Sequence, residues 1–394
     1  MTDRAVARAI LQQIRDARDD FVDLVGRLAR VESPTDDGLS QAGVHAVLRP
    51  AFEALGFDVR TVRSRSTGDH FLARPRTRRS GAPCQLLVGH TDTVWPLGTL
   101  ASMPVQAIDG RLHGPGTLDM KGGVTSIVFA LRALAALDLR PGVTPLVFLN
   151  ADEEIGSPDS KRWVRRLSRL ACRALVVEPP MGPEGLIKTA RKGVGRYEIT
   201  IRGRAAHAGL EPEAGASAIL ELGHLVRRLD GLNDPDRGTT VNVGVVAGGT
   251  RPNVVAAMAR ASVDTRFTSL DAGERLGRAI AALEPTVPGT SLEVSGDVGV
   301  PPLERTPRNR RLWLRARELG SSLGLELDET LVGGGSDGNT TSLHTATLDG
   351  LGCVGDGAHA THEHIVIDRS LERCALLALL MLEPAEPEPR DAAG

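Results

Sequence analysis

No Cys-x-x-Cys occurs in this chain of 394 residues, and its four cysteines, Cys84, Cys172, Cys353 and Cys374, are widely scattered. That spacing excludes a cysteine-ligated metal motif and a disulfide framework. It describes reduced core thiols of a cytosolic protein. No apolar run reaches membrane-spanning length, since residues 375–382 are too few. Residues 1–25 interleave Asp and Arg with apolar positions, so they form an amphipathic helix and lack the unbroken apolar run of a secretory signal. Excess charge is missing too: 47 basic side chains face 49 acidic ones, for a net −2. Nothing therefore calls for a polyanionic partner, and the arginine cluster at 74–79 reads as a solvated loop. A phosphate-cradling Gly-x-x-x-x-Gly-Lys-Ser/Thr is absent, and so is any internal repeat. The expectation is a soluble cytoplasmic protein that binds neither membrane nor nucleic acid.

The length exceeds the usual reach of one hydrophobic core, so two domains are expected. In the first half, helices at 5–31, 44–55 and 122–137 alternate with strands at 57–63, 84–89, 145–150 and 174–177. Short apolar strands separated by helices specify an α/β fold with a mostly parallel sheet flanked by helices. From 191 to 299 the pattern changes to strand, helix, strand, strand, helix, strand, at 195–201, 215–229, 240–246, 258–267, 272–283 and 291–295. That is the ferredoxin-like split motif, an α+β domain complete in itself. A helix at 308–323 resumes the earlier pattern. The small domain, 191–299, is thus an insertion into a discontinuous larger one, 1–190 and 300–394. The tail, 383–394, is mostly Pro, Glu and Ala and is expected to be disordered.

Candidate chemistry gathers at strand ends and loops. His90 and Asp92 close a buried strand, where open α/β sheets bind ligands. Period two puts both on one face, suiting a metal ligand with a carboxylate behind it, although a satisfied loop histidine fits as well. Asp119 follows a Gly/Pro-rich turn and precedes a helix, so an N-cap is an equal reading. Asp152-Glu153-Glu154 also follows a strand. Acidic residues near a helix start are the plain account, and a cation that relieves their repulsion is the other. Glu178 leaves an apolar strand, either solvated or bound. His359, His362 and His364 lie within six residues beside a glycine turn, which could equally be a surface loop. Taken together, five such sites offering His, Asp or Glu match the nitrogen and oxygen ligands of catalytic zinc. Two metals about 3.5–4 Å apart are a recurrent hydrolase design.

These residues resemble the M20 metallopeptidases, which include glutamate carboxypeptidases, aminoacylases, acetylornithine deacetylases and succinyl-diaminopimelate desuccinylases. The likeness runs from about residue 22 to 382 and is nearest the glutamate carboxypeptidase branch. It is carried jointly by Gly-His90-Thr-Asp92-Thr-Val, Gly-x-Gly-x-x-Asp119-Met-Lys-Gly-Gly, Asp-Glu153-Glu154-x-Gly-Ser and Gly-Ala-His359-x-x-x-Glu363. The resemblance implies a di-zinc aminopeptidase-like catalytic domain with an inserted lid and dimerisation domain. His90, Asp119 and Glu178 would hold one zinc, and Asp119, Glu154 and His359 the other, with Co2+ or Mn2+ as substitutes. Asp92 would orient His90, Glu153 would be the general base, and the peptide after Asp119 would be cis. His359 is chosen over His362 and His364 because Glu363 keeps the family spacing after it. In the insertion, His207 resembles the histidine that stabilises the oxyanion across a homodimer. Asn253, Arg266 and the loop bearing Gly334, Gly335 and Ser336 resemble substrate contacts.

The implied reaction is hydrolysis of an amide beside a free carboxylate, in an N-acyl amino acid or short peptide. One departure bears on specificity: where related carboxypeptidases place an Arg before Pro-Pro, this chain has Val300, which cannot bind a carboxylate bidentately. A biosynthetic amide-processing enzyme and a non-catalytic binding protein on the same fold are the alternatives. The complete ligand set and Glu153 argue against the second.

Overall fold

The computed structural model describes residues 4–78 and 81–385, and the chain forms two compact units. The larger holds the chain up to Thr189, Arg305–Leu331 and the part from Ser336 onward; the smaller holds Ala190–Glu304 with Val332–Gly335.

A six-stranded sheet organises the larger unit, in the order Phe57–Val62, His70–Pro75, Thr144–Asn150, Cys84–His90, Ala171–Val176, Ala346–Leu348. Only His70–Pro75 runs against the rest. Cys84–His90 has parallel neighbours on both sides, and all seven of its residues are buried. A strand covered on both faces has no use for polar alternation, which is why its sequence is a continuous apolar run. The helix Gly122–Ala136 is buried on almost every side and packs against Ile367–Leu382. Its start approaches the sheet closely: a Cβ on Gly123 would overlap the carbonyl oxygen of Val177, the residue before Glu178.

Several expectations are corrected. The helix expected at 5–31 is two helices, Arg4–Asp16 and Arg18–Ala29, because Ala17 leaves the helical region at φ −95°, ψ 18°. The strand His70–Pro75 ends at Pro75, so Arg74 is not in a loop but on a strand, paired with Asp58 at 3.3 Å. Arg79 lies outside the described residues. A second sheet also stands where the sequence suggested loops: Gly355–Asp356, His364–Val366, Arg111–His113 and Gln106–Ile108, all antiparallel. Strands of two or three residues are too short to show a period. The first residues of the tail expected to be disordered are instead bonded to the larger unit. The Glu383 carboxylate accepts from Arg315 at 2.7 and 2.9 Å, and the Pro384 carbonyl accepts from the buried Arg173 at 2.9 Å. The remainder, from 386, lies outside the described residues.

The smaller unit is an antiparallel sheet in the order Thr240–Gly248, Met258–Phe267, Gly193–Arg202, Ser291–Val300. In chain order that is 2-3-1-4, the ferredoxin-like arrangement. Tyr197, Ile199 and Ile201 alternate inward against the helices Ala218–Asp230 and Leu270–Ala281. Both helices are N-capped by serine: Ser217 accepts from the Leu220 amide and Ser269 from the Ala272 amide. Among the described residues no helix is long and apolar enough to cross a membrane.

The Gly123 approach gives a test. Gly123→Ala should lower the melting temperature, through an overpacking cost of about 1–3 kcal/mol or more. A melting curve that matches the wild type would show that helix and strand part without penalty.

Candidate metal centre

Parallel strands share their carboxyl ends, so the loops that follow them meet at one edge. The register pairs His90 with Asn150 and Val88 with Val176, which sets Glu178, two residues beyond Val176, level with His90. Asp152–Glu154 follows Asn150 directly. Two loops outside the sheet complete the group. One is the Thr117–Lys121 turn bearing Asp119, whose peptide bond to Met120 is cis. The other is the turn bearing His359.

Asp119 lies between two imidazoles. Its Oδ1 is 3.2 Å from His90 Nε2, and its Oδ2 is 3.5 Å from His359 Nε2. On the first side, Glu178 Oε1 is 3.7 Å from His90 Nε2. On the second, Glu154 Oε2 is 3.1 Å from His359 Nε2. Ligand atoms of His90, Asp119 and Glu154 all fall within 4.8 Å of one another, as do those of His90, Glu153 and Glu178. Glu154 thus reaches both sides, and Glu153 sits beside Glu178.

The charges of this group depend on one another. Burial opposes ionisation of Asp119, but hydrogen bonds from His359 and His90 outweigh it and hold its carboxyl below the ordinary range. The same contacts, from Asp119 first and then Glu154, push His359 up to about 10. Burial and then the Glu178 charge push Glu153 well above the ordinary carboxylate range. Protons here do what a cation would do, which is to neutralise converging carboxylates. A direct sign of fit for a metal is Glu154 Oε1, which is buried and meets no hydrogen-bond donor among the described residues.

Behind these groups stands a second layer. His90 Nδ1 donates to the Asp92 carbonyl at 2.9 Å and lies 3.4 Å from Asp92 Oδ1, so its Nε2 faces Asp119. The Asp92 carboxylate accepts from the Glu153 amide at 3.3 Å, the Glu154 amide at 3.2 Å and the Thr35 hydroxyl at 2.7 Å. It therefore fixes the acidic turn as well as the histidine. Below that turn, Asn150 and Ser157 donate to Asp337 at 2.7 and 2.8 Å. His364 turns from the group: its Nδ1 donates to the His362 carbonyl and its ring stacks on His113 at 5.0 Å.

The remaining candidates sit elsewhere. Ser336 caps the short helix Asp337–Thr341 and donates to Asp349 at 2.6 Å. In the smaller unit, His207 and Asn253 share adjoining turns, since the Ala208 amide donates to the Asn253 carbonyl at 3.0 Å. His207 is exposed, and its Nδ1 accepts from the Gly209 amide at 3.2 Å. A neutral ring then carries its proton on Nε2, as an outward donor. Arg266 is committed bidentately to Asp264 at 2.8 and 3.0 Å. Gly334 and Gly335 accept from Arg191 through their carbonyls at 3.1 and 3.0 Å. Sequence reasoning missed Thr35, Asn150 and Ser157. Single polar residues in loops or at a strand end carry no spacing signal.

Comparison with known proteins assigns the class. Residues 86–383 match the model of peptidase family M20/M25/M40, and the chain belongs to that family of peptidases and amidohydrolases. It is 27% identical over 389 residues to carboxypeptidase G2 of Pseudomonas sp. (strain RS-16), covering 95% of this chain and 91% of that protein. It is 31% identical over 314 residues to acetylornithine deacetylase of Myxococcus xanthus, covering 76% and 80%. The aminopeptidase PepT of Bacillus cereus ATCC 10987 shares the fold, with a TM-score of 0.78, 24% identity and coverage of 94% and 99%.

Asp92→Asn places an amide donor among groups that themselves donate. It should weaken uptake of added divalent metal by roughly 10–100-fold, the usual effect of removing a partner of a ligand. Calorimetric zinc titration of the metal-free protein checks this, and wild-type affinity in the variant would rule out the support role.

Proposed function

We propose that this enzyme hydrolyses the amide bond next to a free carboxylate in an N-acyl amino acid or short peptide, with two divalent metal ions, zinc first. The observation that carries the reading is Asp119 set between His90 and His359, with Glu178 on one side and Glu154 on the other. His90, Asp119 and Glu178 would hold one ion, and Asp119, Glu154 and His359 the second. These nitrogen and oxygen donors suit zinc, with Co2+ or Mn2+ as substitutes. When bound, such ions polarise the scissile carbonyl and lower the pKa of water toward about 7.

Glu153, beside Glu178, takes the proton of the attacking water on a carboxylate oxygen and returns it to the leaving nitrogen. Asp92 keeps the Glu153 amide in place while this happens. His207, with Nε2–H as donor, stabilises the oxyanion from a second copy of the chain, so the working form is a homodimer. The edge strand Thr240–Gly248 of the smaller unit, with Val245 and Val246 exposed, supports pairing of two copies. Four free thiols support a cytoplasmic setting.

Zinc-loaded enzyme should release amines from some members of a panel of N-acyl amino acids and dipeptides, scored by mass spectrometry. Glu153→Gln should keep its zinc and lose nearly all release; turnover at the wild-type rate in that variant would sink the assignment. His207→Ala should lower kcat by roughly 10²–10³, as loss of an oxyanion donor does, with metal content unchanged. A monomer by light scattering at assay concentration would remove its action between copies.

A further inference from the structure

Resting on the metal reading above, we propose that Glu363 is the positioning residue of this centre. Its carboxylate clamps the His359 turn onto the Asp119 turn and so sets the affinity of the position formed by Asp119, Glu154 and His359. Glu363 is 1% exposed, and both of its oxygens are fully engaged. Oε1 accepts from the Leu118 amide at 2.9 Å and the Asp119 amide at 3.0 Å. Oε2 accepts from the Gly116 amide at 2.9 Å and the Trp95 indole at 2.8 Å. Three of these four donors are main-chain amides of the loop that carries Asp119. A carboxylate surrounded in this way is an anion in a backbone nest, and it is no longer available as a metal ligand.

The other end of the clamp is the His359 turn itself. The Glu363 amide donates to the Ala360 carbonyl at 2.9 Å, and the Ala360 amide to the Gly357 carbonyl at 2.8 Å. The Glu363 carbonyl accepts from the Gly114 amide at 3.2 Å, so the two loops are tied in both directions. His359 needs such support. Its backbone is left-handed, at φ 61°, a conformation that L-residues seldom adopt. Its side chain is 52% exposed and, among the described residues, bonds only toward the Asp119 and Glu154 carboxylates it would share with a metal. His90, by contrast, is held by its own strand and by Asp92. The clamp therefore bears on the second position much more than on the first. The buried Lys121, whose Nζ donates to the Val31 carbonyl at 2.7 Å, feels the Glu363 charge, which favours its protonated form.

Glu363→Gln tests this. Whichever way the amide turns, its NH2 faces two donors, so at least two of the four bonds are lost. Trp95→Phe removes one bond and leaves three, as a milder variant. Zinc titrations of the metal-free proteins should show two uptake steps in the wild type, the first at the buried His90 position and the second at the position of the half-exposed His359. The first should be preserved in both variants. The second should weaken roughly 10–100-fold in Glu363→Gln and by less in Trp95→Phe. Amide exchange of the metal-free proteins, followed by mass spectrometry, should speed up in segments 114–122 and 355–366 together. Two unchanged titration steps with unchanged exchange in Glu363→Gln would overturn the proposal. Should that variant not fold, an unchanged second step and unchanged exchange in Trp95→Phe would do so. A wild type that takes up no divalent metal sinks the metal reading and the affinity half of this inference. Exchange then still decides the clamp.

Discussion

Like charges forced together out of water govern this structure. Asp119, Glu153, Glu154 and Glu178 converge beside His90, and burial with the Glu178 charge raises the cost of ionising Glu153. Burial makes the cost steeper, because less water is left to screen it. The arrangement persists only where something answers the negative charge. Protons on His359 and His90 do so in the metal-free protein, and two divalent cations would balance four carboxylates. The raised proton affinity of His359 and Glu153 and the affinity for metal are thus one property measured with two different cations.

Repulsion alone would scatter the group, so the surrounding main chain must hold it. Two further carboxylates do this, and neither faces the metal position with a spare oxygen. Asp92 gathers the Glu153 and Glu154 amides and Thr35. Glu363 gathers three amides around Asp119. Charged acceptors bonded to amides are roughly twice as strong as neutral pairs and fix direction as well as distance. The sheet supplies the rest of the placement. Cys84–His90 and Ala171–Val176 run parallel and in register, so His90 and Glu178 arrive at one level without any contact between their side chains having to arrange it.

What the sequence makes legible follows from this division of labour. The buried parallel strands show as apolar runs, and the smaller unit shows as alternating strands, because both patterns are long enough to carry a period. The four short antiparallel strands do not reach that length, although they bring the His359 turn to the Asp119 turn, and the six residues of His70–Pro75 run into an Arg/Pro cluster that breaks the pattern. His90, Asp119 and His359 announce themselves as chemistry-bearing residues at strand ends and glycine turns. Thr35 and Asn150 do not, since a lone hydroxyl in a loop or a lone amide at a strand end looks the same whether it supports the site or faces water. Glu363 is the intermediate case: its spacing after His359 marks it, but only the folded chain shows which amides it holds.

Charge in the smaller unit is answered in the same way. Arg266 carries the guanidinium that the sequence offers for a substrate carboxylate, yet its fork is filled by Asp264 through two hydrogen bonds. An incoming carboxylate would have to displace a partner that is tethered two residues away, at high effective concentration. Val300 pairs with Val194 along the edge strand and brings no charge. Arg191 spends one nitrogen of its fork on the carbonyls of Gly334 and Gly335. The arginines that the fold sets beside the glycine loop therefore hold the protein's own groups.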